Sequence, residues 1–474
     1  MKTRILFGII LTFTSIYSSL SAQQEQWSLS KCIDHALEHN LQIQQQQLST
    51  EINNNYKNQA MMNFAPNING GATHTYNIGQ KIDPYTNTFA SDKVRSNNFY
   101  ASSSITLYNG LRQVNNYQKS QLDYEASKLD LEQTKQDIIL AITNAYLQVL
   151  FAMELENNAQ NQVNITQQQV DRTKKLVEIG SLAKGSLLEM EAQLANEELA
   201  LVNARNSHQM AKLNLAQLLV IDNVDEFSIV KPNLDIPSNY LLDDSVNAVI
   251  NYALHNQNSV KSAELKVESA EKSLAISKGA LAPTLTFSGS YGTGYSGAAR
   301  QPIGDIDTLF VPFGITESLE TVYVPNYSAE YAIIPFADQI NNNLNKSFGF
   351  NLTIPIYNNG SAYYGIKNAS ANVEIAKLNQ QQTINTVTQN IQQAYYDAHA
   401  AYQKYLASEK SFKALQESFK YTNEKFNVGM VNALDFNDAK NKLAKAESDL
   451  LQAKFEYIFS LKILDFYKGI ELKL

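Results

Sequence analysis

The sequence predicts a mainly α-helical fold with a small β part. It is an internally duplicated, long α-helical coiled-coil barrel, continued by a four-stranded share of a trimeric 12-stranded transmembrane β-barrel. Three observations predict it. Residues 99–205 align without a gap with residues 348–454 at an offset of 249. Two long segments hold neither glycine nor proline, and four short segments alternate apolar with small polar residues.

The repeat divides the mature chain into two halves, 23–240 and 241–474. A second offset, 217, pairs Phe64-Ala65-Pro66 with Leu281-Ala282-Pro283, so one unit of helix, two strands, long helix and returning helix occurs twice. The first half is predicted to hold an opening helix, strands at about 66–78 and 97–108, a long helix at 111–179, a returning helix at 186–221 and a connector. The second is predicted to hold a helix at 243–278, strands at about 283–295 and 346–357, a long helix at 361–428 and a returning helix at 435–468.

The long helices have the spacing of a coiled coil. Residues 111–179 and 366–428 lack glycine and proline, and as helices they would be roughly 95 to 105 Å long. Mostly apolar residues recur at intervals of three and four from Ile384 to Phe426, and in the same phase from Ile138 to Val177. A sustained 3.5-residue period predicts a left-handed supercoil, whereas helices on a globular core rarely keep one phase so long.

Each long helix is followed by a tight turn. Gly180 and Gly429 are suited to left-handed C-caps. Ser186 and Asp435 are predicted N-caps of the returning helices, and Ser186 with Glu189 has the spacing of a capping box. These segments are therefore predicted to be αα-hairpins at the tips of long arms.

The predicted strands alternate in the manner of membrane strands. In one of them Phe348, Phe350 and Leu352 alternate with small polar residues. Each run has about the ten residues that a membrane strand needs, and one apolar and one polar face are typical of a barrel with lipid outside and water inside. A half-buried soluble sheet has the same alternation, but the very long helices favour the barrel. Segments 79–96 and 296–345 are predicted to be its outer loops, and the sequence gives no role for the second.

Four strands cannot close a barrel, because about eight is the smallest number that does. Unpaired backbone groups at open edges are strongly unfavourable in lipid, so several copies must share one barrel. Two copies would give about eight strands with a filled lumen, and three would give about twelve with room for water. The predicted object is a hollow conduit.

The first 22 residues are predicted to be a signal peptide. Lys2 and Arg4 precede the apolar run Ile5–Leu20, and small residues follow at cleavage spacing. The run is short for a membrane anchor, so we expect removal and export. The formal net charge of −8 argues against nucleic acid as a partner.

The sequence predicts no enzyme and no catalytic, cofactor-binding or metal site. His35 and His39 are four residues apart near Cys32 and Asp34, a spacing that can bind metal, but a packed helix face is the favoured interpretation. The lone Cys32 is predicted to be a small buried residue. No phosphate-binding glycine loop or nucleophile elbow occurs.

Several of these segments carry a resemblance to a known family. Ile354–Gly360 is similar to the strand-to-helix motif of the TolC-like outer-membrane efflux proteins (outer membrane factors), and Leu107–Gly110 is its counterpart. Phe426–Asp435 resembles the helix-tip motif of the family. The first tip departs from it, with Gly185-Ser186 where the second has Leu434-Asp435.

The resemblance implies a homotrimer in the cell outer membrane whose tunnel extends into the periplasm. It also implies a periplasmic adaptor at the helix tips, an inner-membrane pump, and export of small molecules such as drugs or toxic compounds. The docking region would comprise Gly180, Leu182, Ser186, Gly429, Val431 and Asp435. Helix capping alone is the alternative role of these residues.

Three other functions remain open at this point. The same duct could serve type I protein secretion. Two alternatives belong to other classes: a non-pore periplasmic coiled-coil scaffold, and an exported enzyme, which should have one asymmetric polar cluster rather than two matching halves. The sequence does not indicate the substrate, the particular pump and adaptor, or the residues of a closed constriction.

Overall fold

The computed structural model describes residues 26–90, 93–232 and 245–470, so the predicted signal peptide lies outside the described residues. The elements of the first half are β1 (Gln26–Trp27), α1 (Leu29–His39), α2 (Leu41–Met62), β2 (Asn67–Asn77), β3 (Lys81–Ile82), β4 (Phe89–Ala90), β5 (Val94–Tyr108), α3 (Arg112–Glu178), α4 (Lys184–Leu219) and β6 (Ser228–Ile229). Those of the second are α5 (Val246–Asn256), α6 (Asn258–Gly279), β7 (Thr284–Ser296), β8 (Arg300–Ile315), β9 (Thr321–Ile333), α7 (Phe336–Asn342), β10 (Asn345–Thr353), α8 (Ser361–Asn427) and α9 (Ala433–Tyr467). The prediction of a duplicated, mainly α fold with a small β part is confirmed.

The chain forms two compact units, and each takes segments from both repeats. The first comprises Met1–Thr50, Ser127–Ala263 and Gln380–Leu474, and the second comprises Glu51–Ala126 and Glu264–Asn379. The boundaries fall inside α2, α3, α6 and α8. The repeats are therefore units of sequence duplication and not separate compact bodies.

The predicted 3,4 spacing on the long helices is confirmed by burial. Helices α3 and α8 each have 67 residues, and both bury positions at that spacing; the middle of α3 also buries residues outside it, among them Thr143, Tyr146 and Leu150. The buried positions of the predicted pattern are Ile138, Ile142, Ala145, Val149, Ala152, Thr166, Val170 and Thr173 on α3, and Val387, Ile391, Ala394, Ala398 and Ala401 on α8.

The main core of the first unit surrounds the middle of α3. Ile142 and Leu150 pack there with residues of α1, α4 and α9. The Tyr146 hydroxyl donates hydrogen bonds to the carbonyl oxygens of Trp27 (3.2 Å) and Val230 (2.7 Å). This ties α3 to the parallel strand pair β1–β6, so a buried phenol joins three segments that are distant in sequence.

The opening helix of each repeat is broken, where the sequence predicted continuous helices. The breaks fall at Asn40 and Gln257, which correspond at the offset of 217, and both have extended backbone (φ −65°, ψ 128° and φ −66°, ψ 129°). The Asn40 side chain accepts from the amide of Gln42 and donates to the carbonyl of Leu218. The first of these bonds is a local cap of α2 and the second is tertiary, and together they stabilise a break that no glycine or proline marks in the sequence.

The second unit holds a four-stranded antiparallel sheet in the order β10-β7-β5-β2. The prediction that its last strand continues to residue 357 is wrong, because β10 ends at Thr353. Pro355 has no N–H to donate to the ladder. In the first repeat Thr106 occupies the equivalent position, and β5 continues to Tyr108.

The long segment 296–345, predicted to be a loop, is mostly regular structure. Strands β8 and β9 pair as an antiparallel hairpin, and the short helix α7 follows. Pro302, Pro312 and Pro325 lie on one face of this hairpin, at alternating positions of the ladder. Because proline cannot donate, their nitrogens must point away from the partner strand, so both edges lack some of the donors that a third strand would need.

The turns that lead from sheet to long helix are built alike in the two repeats. Two consecutive residues have positive φ in each: Gly110 (68°) with Leu111 (60°), and Asn359 (56°) with Gly360 (74°). In both turns the asparagine before them accepts from the first helical amide, Asn109 from Arg112 and Asn358 from Ser361. The two glycines differ in surroundings, since a Cβ at Gly110 would collide with the Gly279 carbonyl and one at Gly360 would meet only a tyrosine ring at 3.5 Å.

This difference gives a test of close packing. Gly360→Ala should cost about 1–2 kcal/mol, the ordinary penalty of a left-handed residue. Gly110→Ala should cost about 1–3 kcal/mol more, because the backbone of Gly279 must move. The measurement is the midpoint of denaturant unfolding followed by circular dichroism. Equal losses in the two variants would contradict the close approach of Gly110 to Gly279.

Candidate functional site

The four-stranded sheet has one apolar face and one small, polar face. Cross-strand partners share a face, and Phe287 is opposite both Phe350 and Ile105. The same face includes Leu352 and Phe348, of which Phe348 is 83% exposed in the isolated chain. Serine, threonine, asparagine and glycine fill nearly all of the opposite face, as in the Ser290–Ser347 pair, whose hydroxyls are 2.7 Å apart. This division between faces is typical of a membrane barrel wall.

The sheet is open at both edges. Among the described strands, β10 and β2 each pair on one side only within this sheet, which leaves a row of backbone donors and acceptors on the other. A wall with an apolar face and two open edges is incomplete as a single chain.

The end of the sheet remote from the long helices is closed by a small polar core, to which the short helix α7 contributes. The Gln339 amide nitrogen donates to the carbonyls of Ser296 (3.0 Å) and Ile334 (2.8 Å), and its oxygen accepts from the Ser296 amide. The Ser296 hydroxyl donates to the Asp83 carboxylate, which also accepts from Thr86. Asp83, Ser296 and Gln339 are all buried. The residues on either side of the β8–β9 hairpin, Ser296 and Ile334, are therefore held together by buried hydrogen bonds.

The C-caps predicted at the helix tips are confirmed. Gly180 and Gly429 have φ of 77° and 79°. In each turn the glycine amide bonds three residues back, and the next amide bonds five residues back, from Ser181 to Leu176 and from Met430 to Lys425. This is the Schellman motif, which ends both long helices in the same way.

The predicted N-caps of the returning helices are wrong. The structure places the caps three residues earlier, at Ala183 and Asn432. The Asn432 side chain accepts from the Asp435 amide (2.8 Å), whereas Ala183 has no side-chain cap. Ser186 already lies in the first turn of α4, and its amide donates to the carbonyl of Ala183. The chain reverses so soon after Gly180 that α4 begins before residue 186 is reached. The Ser186–Glu189 capping box is not formed.

The two tips pack against each other inside the first unit. Val170, Met190 and Ala433 form a small buried cluster with Phe426. Within the second hairpin, Phe436, which is 1% exposed, stacks on Phe426 with ring centroids 4.5 Å apart. The Arg172 guanidinium donates to the Asn427 carbonyl (2.8 Å) and side chain, which links the ends of α3 and α8.

The six predicted docking residues lie in or beside these two adjacent turns, and the turns expose apolar side chains that sequence reasoning missed. Gly180 and Gly429 have open space where a Cβ would be, and Leu182 is 38% exposed. Ser186 and Val431 are half-buried, and Asp435 is exposed in the first turn of α9. The additional exposed apolar residues are Ile179, Val428, Met430 and Leu434. The sequence did contain a signal for these residues, because most of them stand directly beside a glycine predicted to cap a helix in a surface turn.

A buried ion pair lies behind the tips and was also missed. The Lys440 ammonium is 2.8 and 3.0 Å from the Glu197 carboxylate oxygens, donates to the Gln162 carbonyl (3.1 Å) and contacts the Thr166 hydroxyl. Burial lowers the pKa of Lys440, and Glu197 partly opposes that shift. The network joins Thr166 and Glu197 of the first repeat to Lys440 of the second. At the offset of 249 the counterparts of Thr166 and Glu197 are Leu415 and Ala446, so the network has no symmetric copy.

The residues considered for metal binding do not form a site. The His35 and His39 rings stack with centroids 4.2 Å apart, and His39 Nδ1 is 3.0 Å from the carbonyl of His35. Cys32 is fully buried, as predicted, and burial raises its pKa to about 12. Within residues 26–90, 93–232 and 245–470, no group of three His, Cys, Asp or Glu side chains could hold a metal ion.

Duplicated long helical hairpins joined to an open, two-faced sheet define a class of outer-membrane channel walls. Residues 32–219 and 249–466 match the outer membrane efflux protein family, and the chain belongs to that family. Its place is therefore the outer membrane.

The similarity to individual relatives is low but extensive. Over 337 residues the chain is 23% identical to the outer membrane protein TolC of Salmonella enteritidis and to that of Escherichia coli K12. The match covers 68% of this chain and 59% of the length of those relatives.

Two solved structures share the fold. The outer membrane protein VceC of Vibrio cholerae has a TM-score of 0.74 at 15% identity, with 93% of this chain and 96% of that one covered. The CmeC outer membrane channel of Campylobacter jejuni has a TM-score of 0.76 at 16% identity, with 93% and 85% covered.

The buried ion pair gives a second test. Lys440→Met should destabilise the protein by about 3–5 kcal/mol, because the Glu197 carboxylate is left buried without a partner. The double variant Lys440→Met/Glu197→Leu should recover most of that loss. The matched control is Lys442→Met, which breaks an ion pair with Asp438 whose side chains are 61% and 60% exposed. That control should change stability by about 0–1 kcal/mol.

The readout is the unfolding midpoint in denaturant. A loss in Lys440→Met no larger than in the control would mean that the buried pair does not hold these helices together.

Proposed function

We propose that this protein is the trimeric outer-membrane channel-tunnel of a tripartite efflux system, and that it exports small molecules such as drugs or toxic compounds. The observation that supports the proposal is the open four-stranded sheet with one apolar and one polar face. Three copies would bring twelve strands together, pair every edge, and leave a water-filled lumen lined by the small polar face. The helical arms would continue this passage into the periplasm.

The helix tips are the proposed docking region for a periplasmic adaptor, which in turn would connect to an inner-membrane pump. Gly180, Leu182 and Ser186 lie at one tip, and Gly429, Val431 and Asp435 at the other. The exposed apolar side chains around them, such as Met430 at 75% exposure, provide surface that a helical partner could bury. In this mechanism the duct performs no chemistry, and energy is supplied by the pump.

The tips are also the proposed gate. The Arg172–Asn427 hydrogen bonds and the buried cluster of Val170, Met190 and Ala433 hold the two hairpins of one chain together. Opening would require the hairpins to move apart while the sheet stays closed. Export of a protein through the same duct, as in type I secretion, uses the same geometry and differs only in the pump that selects the cargo.

The first test separates a pore from a scaffold. Protein purified in mild detergent should have the mass of three copies by native mass spectrometry, and after reconstitution it should conduct ions across a planar bilayer. A water-soluble monomer or dimer without conductance would instead support a periplasmic coiled-coil scaffold. Two copies per particle would contradict the twelve-stranded barrel.

The second test concerns the gate. Cysteines introduced at Ser181 and Met430 and joined by a reducible bifunctional reagent should abolish conductance and efflux, and reduction should restore both. Cys32 is the only native cysteine and is fully buried, so it should not react. The control is a cysteine pair at Glu409 and Lys413, one turn apart on α8, whose linkage should leave transport unchanged. Full transport with linked tips would exclude them as the gate.

A further inference from the structure

Three basic side chains lie over tyrosine rings at the end of the sheet that is remote from the long helices. The Lys346 ammonium is 5.7 Å from the ring centroid of Tyr291, the Arg95 guanidinium is 4.7 Å from that of Tyr295, and the Lys93 ammonium is 4.7 Å from that of Tyr76. We call these six residues the cation–tyrosine belt.

The belt crosses the whole sheet on its apolar face. Lys346 on β10 is the cross-strand partner of Tyr291 on β7, and Arg95 on β5 is the partner of Tyr76 on β2. Tyr291 and Tyr295 are four residues apart on β7, so they share a face. In each of β5 and β10 the apolar side chains of that face follow the cation in sequence, from Phe99 on β5 and from Phe348 on β10.

The charge of this region opposes that of the chain. The formal net charge is −8, yet the four strands of the sheet contain Arg95 and Lys346 and no acidic residue. Among the described residues, no carboxylate pairs with any cation of the belt, and all three cations are exposed. Tyr76 and Tyr291 are 52% and 50% exposed, so these two rings are available on one side, whereas Tyr295 is 6% exposed and packs against Phe336 of α7.

The position of the belt matches the boundary of a bilayer. From Ile105 to Arg95 the strand rises roughly 33 Å along its axis, which at the usual barrel tilt is about 25 Å of height. That equals the apolar band of an outer-membrane barrel, about 25 Å. The end of the sheet at the belt is joined to the short strands β3 and β4, the β8–β9 hairpin and the short helix α7, whereas the opposite end is joined to the longer helices α2, α3, α6 and α8.

We propose that the cation–tyrosine belt binds the phosphate groups of anionic lipid headgroups in the outer leaflet. The exposed rings of Tyr76 and Tyr291 lie at the level of the headgroups, where amphipathic rings are favoured, and the three exposed cations face the phosphates. The inference rests on the proposed orientation, with the helices on the periplasmic side. It is independent of the pump, the adaptor and the cargo.

The experiment compares two charge-removal variants of the full-length protein. Arg95→Gln/Lys346→Gln removes two cations of the belt. Lys57→Gln/Lys367→Gln removes two cations that also lie over tyrosines, at 4.3 and 4.8 Å, but on helices α2 and α8. Each delipidated protein is titrated with bisphosphorylated lipid A, with the same lipid lacking phosphate, and with inorganic phosphate, and bound lipid is counted by native mass spectrometry.

The wild type and the helix variant should prefer the phosphorylated lipid. The belt variant should lose roughly 25-fold in affinity for it, about fivefold per cation, and should bind the phosphate-free lipid as before. An unchanged affinity in the belt variant would overturn the proposal. Displacement of the lipid by inorganic phosphate at equal concentration would also overturn it, because the site would then recognise free phosphate.

The same samples separate this inference from the proposed function. Copy number and conductance are measured on each variant, and both should be unchanged in the belt variant. A pore that forms without lipid preference would overturn the inference alone. A sample that forms no pore would overturn the proposed function, while a retained preference of the detergent-solubilised chain for phosphorylated lipid would still support the belt.

Discussion

The structure depends on one constraint: backbone hydrogen bonds cannot be left unmade in hydrocarbon. A four-stranded sheet with the edges β10 and β2 satisfies that constraint only when other strands complete it. The apolar face, with Phe348 largely exposed, makes such an assembly unfavourable in water and favourable in a membrane. Pairing of edges and solvation of a face are thus separate requirements, and a shared barrel meets both.

The duplication gives both halves the same set of helices and strands. The few positions at which the two halves differ indicate where their roles differ. Both repeats keep the left-handed turn into the long helix, the broken opening helix and the Schellman cap. They differ in the N-cap, with Asn432 in one and Ala183 in the other, and in the buried pair of Glu197 from the first repeat with Lys440 from the second, which has no symmetric copy. Both differences lie at or near the tips, the region proposed to bind a partner and to move.

Periodicity predicted most of the fold, because period 3.5 and period 2 are repeated over many residues and are not sensitive to a single side chain. Features decided by one or two residues were not predictable in this way. The breaks at Asn40 and Gln257 depend on tertiary hydrogen bonds, and the cap at Ala183 depends on how tightly the chain reverses after Gly180. The β8–β9 hairpin was missed because its several prolines usually indicate irregular structure, and here they occupy outward positions of the ladder. For the candidate site, the sequence located the tip turns but could not reveal the Lys440 network, which brings together residues hundreds of positions apart.

In the hairpin at residues 300–333 the two strands pair with each other, the segment that follows is held by the buried Gln339, and prolines interrupt both outer edges. Its sequence can therefore diverge without altering the register of the wall beneath it. In the proposed orientation this hairpin lies on the outer side of the cell. Its sequence could therefore change under selection from outside while the wall of the channel kept its residues.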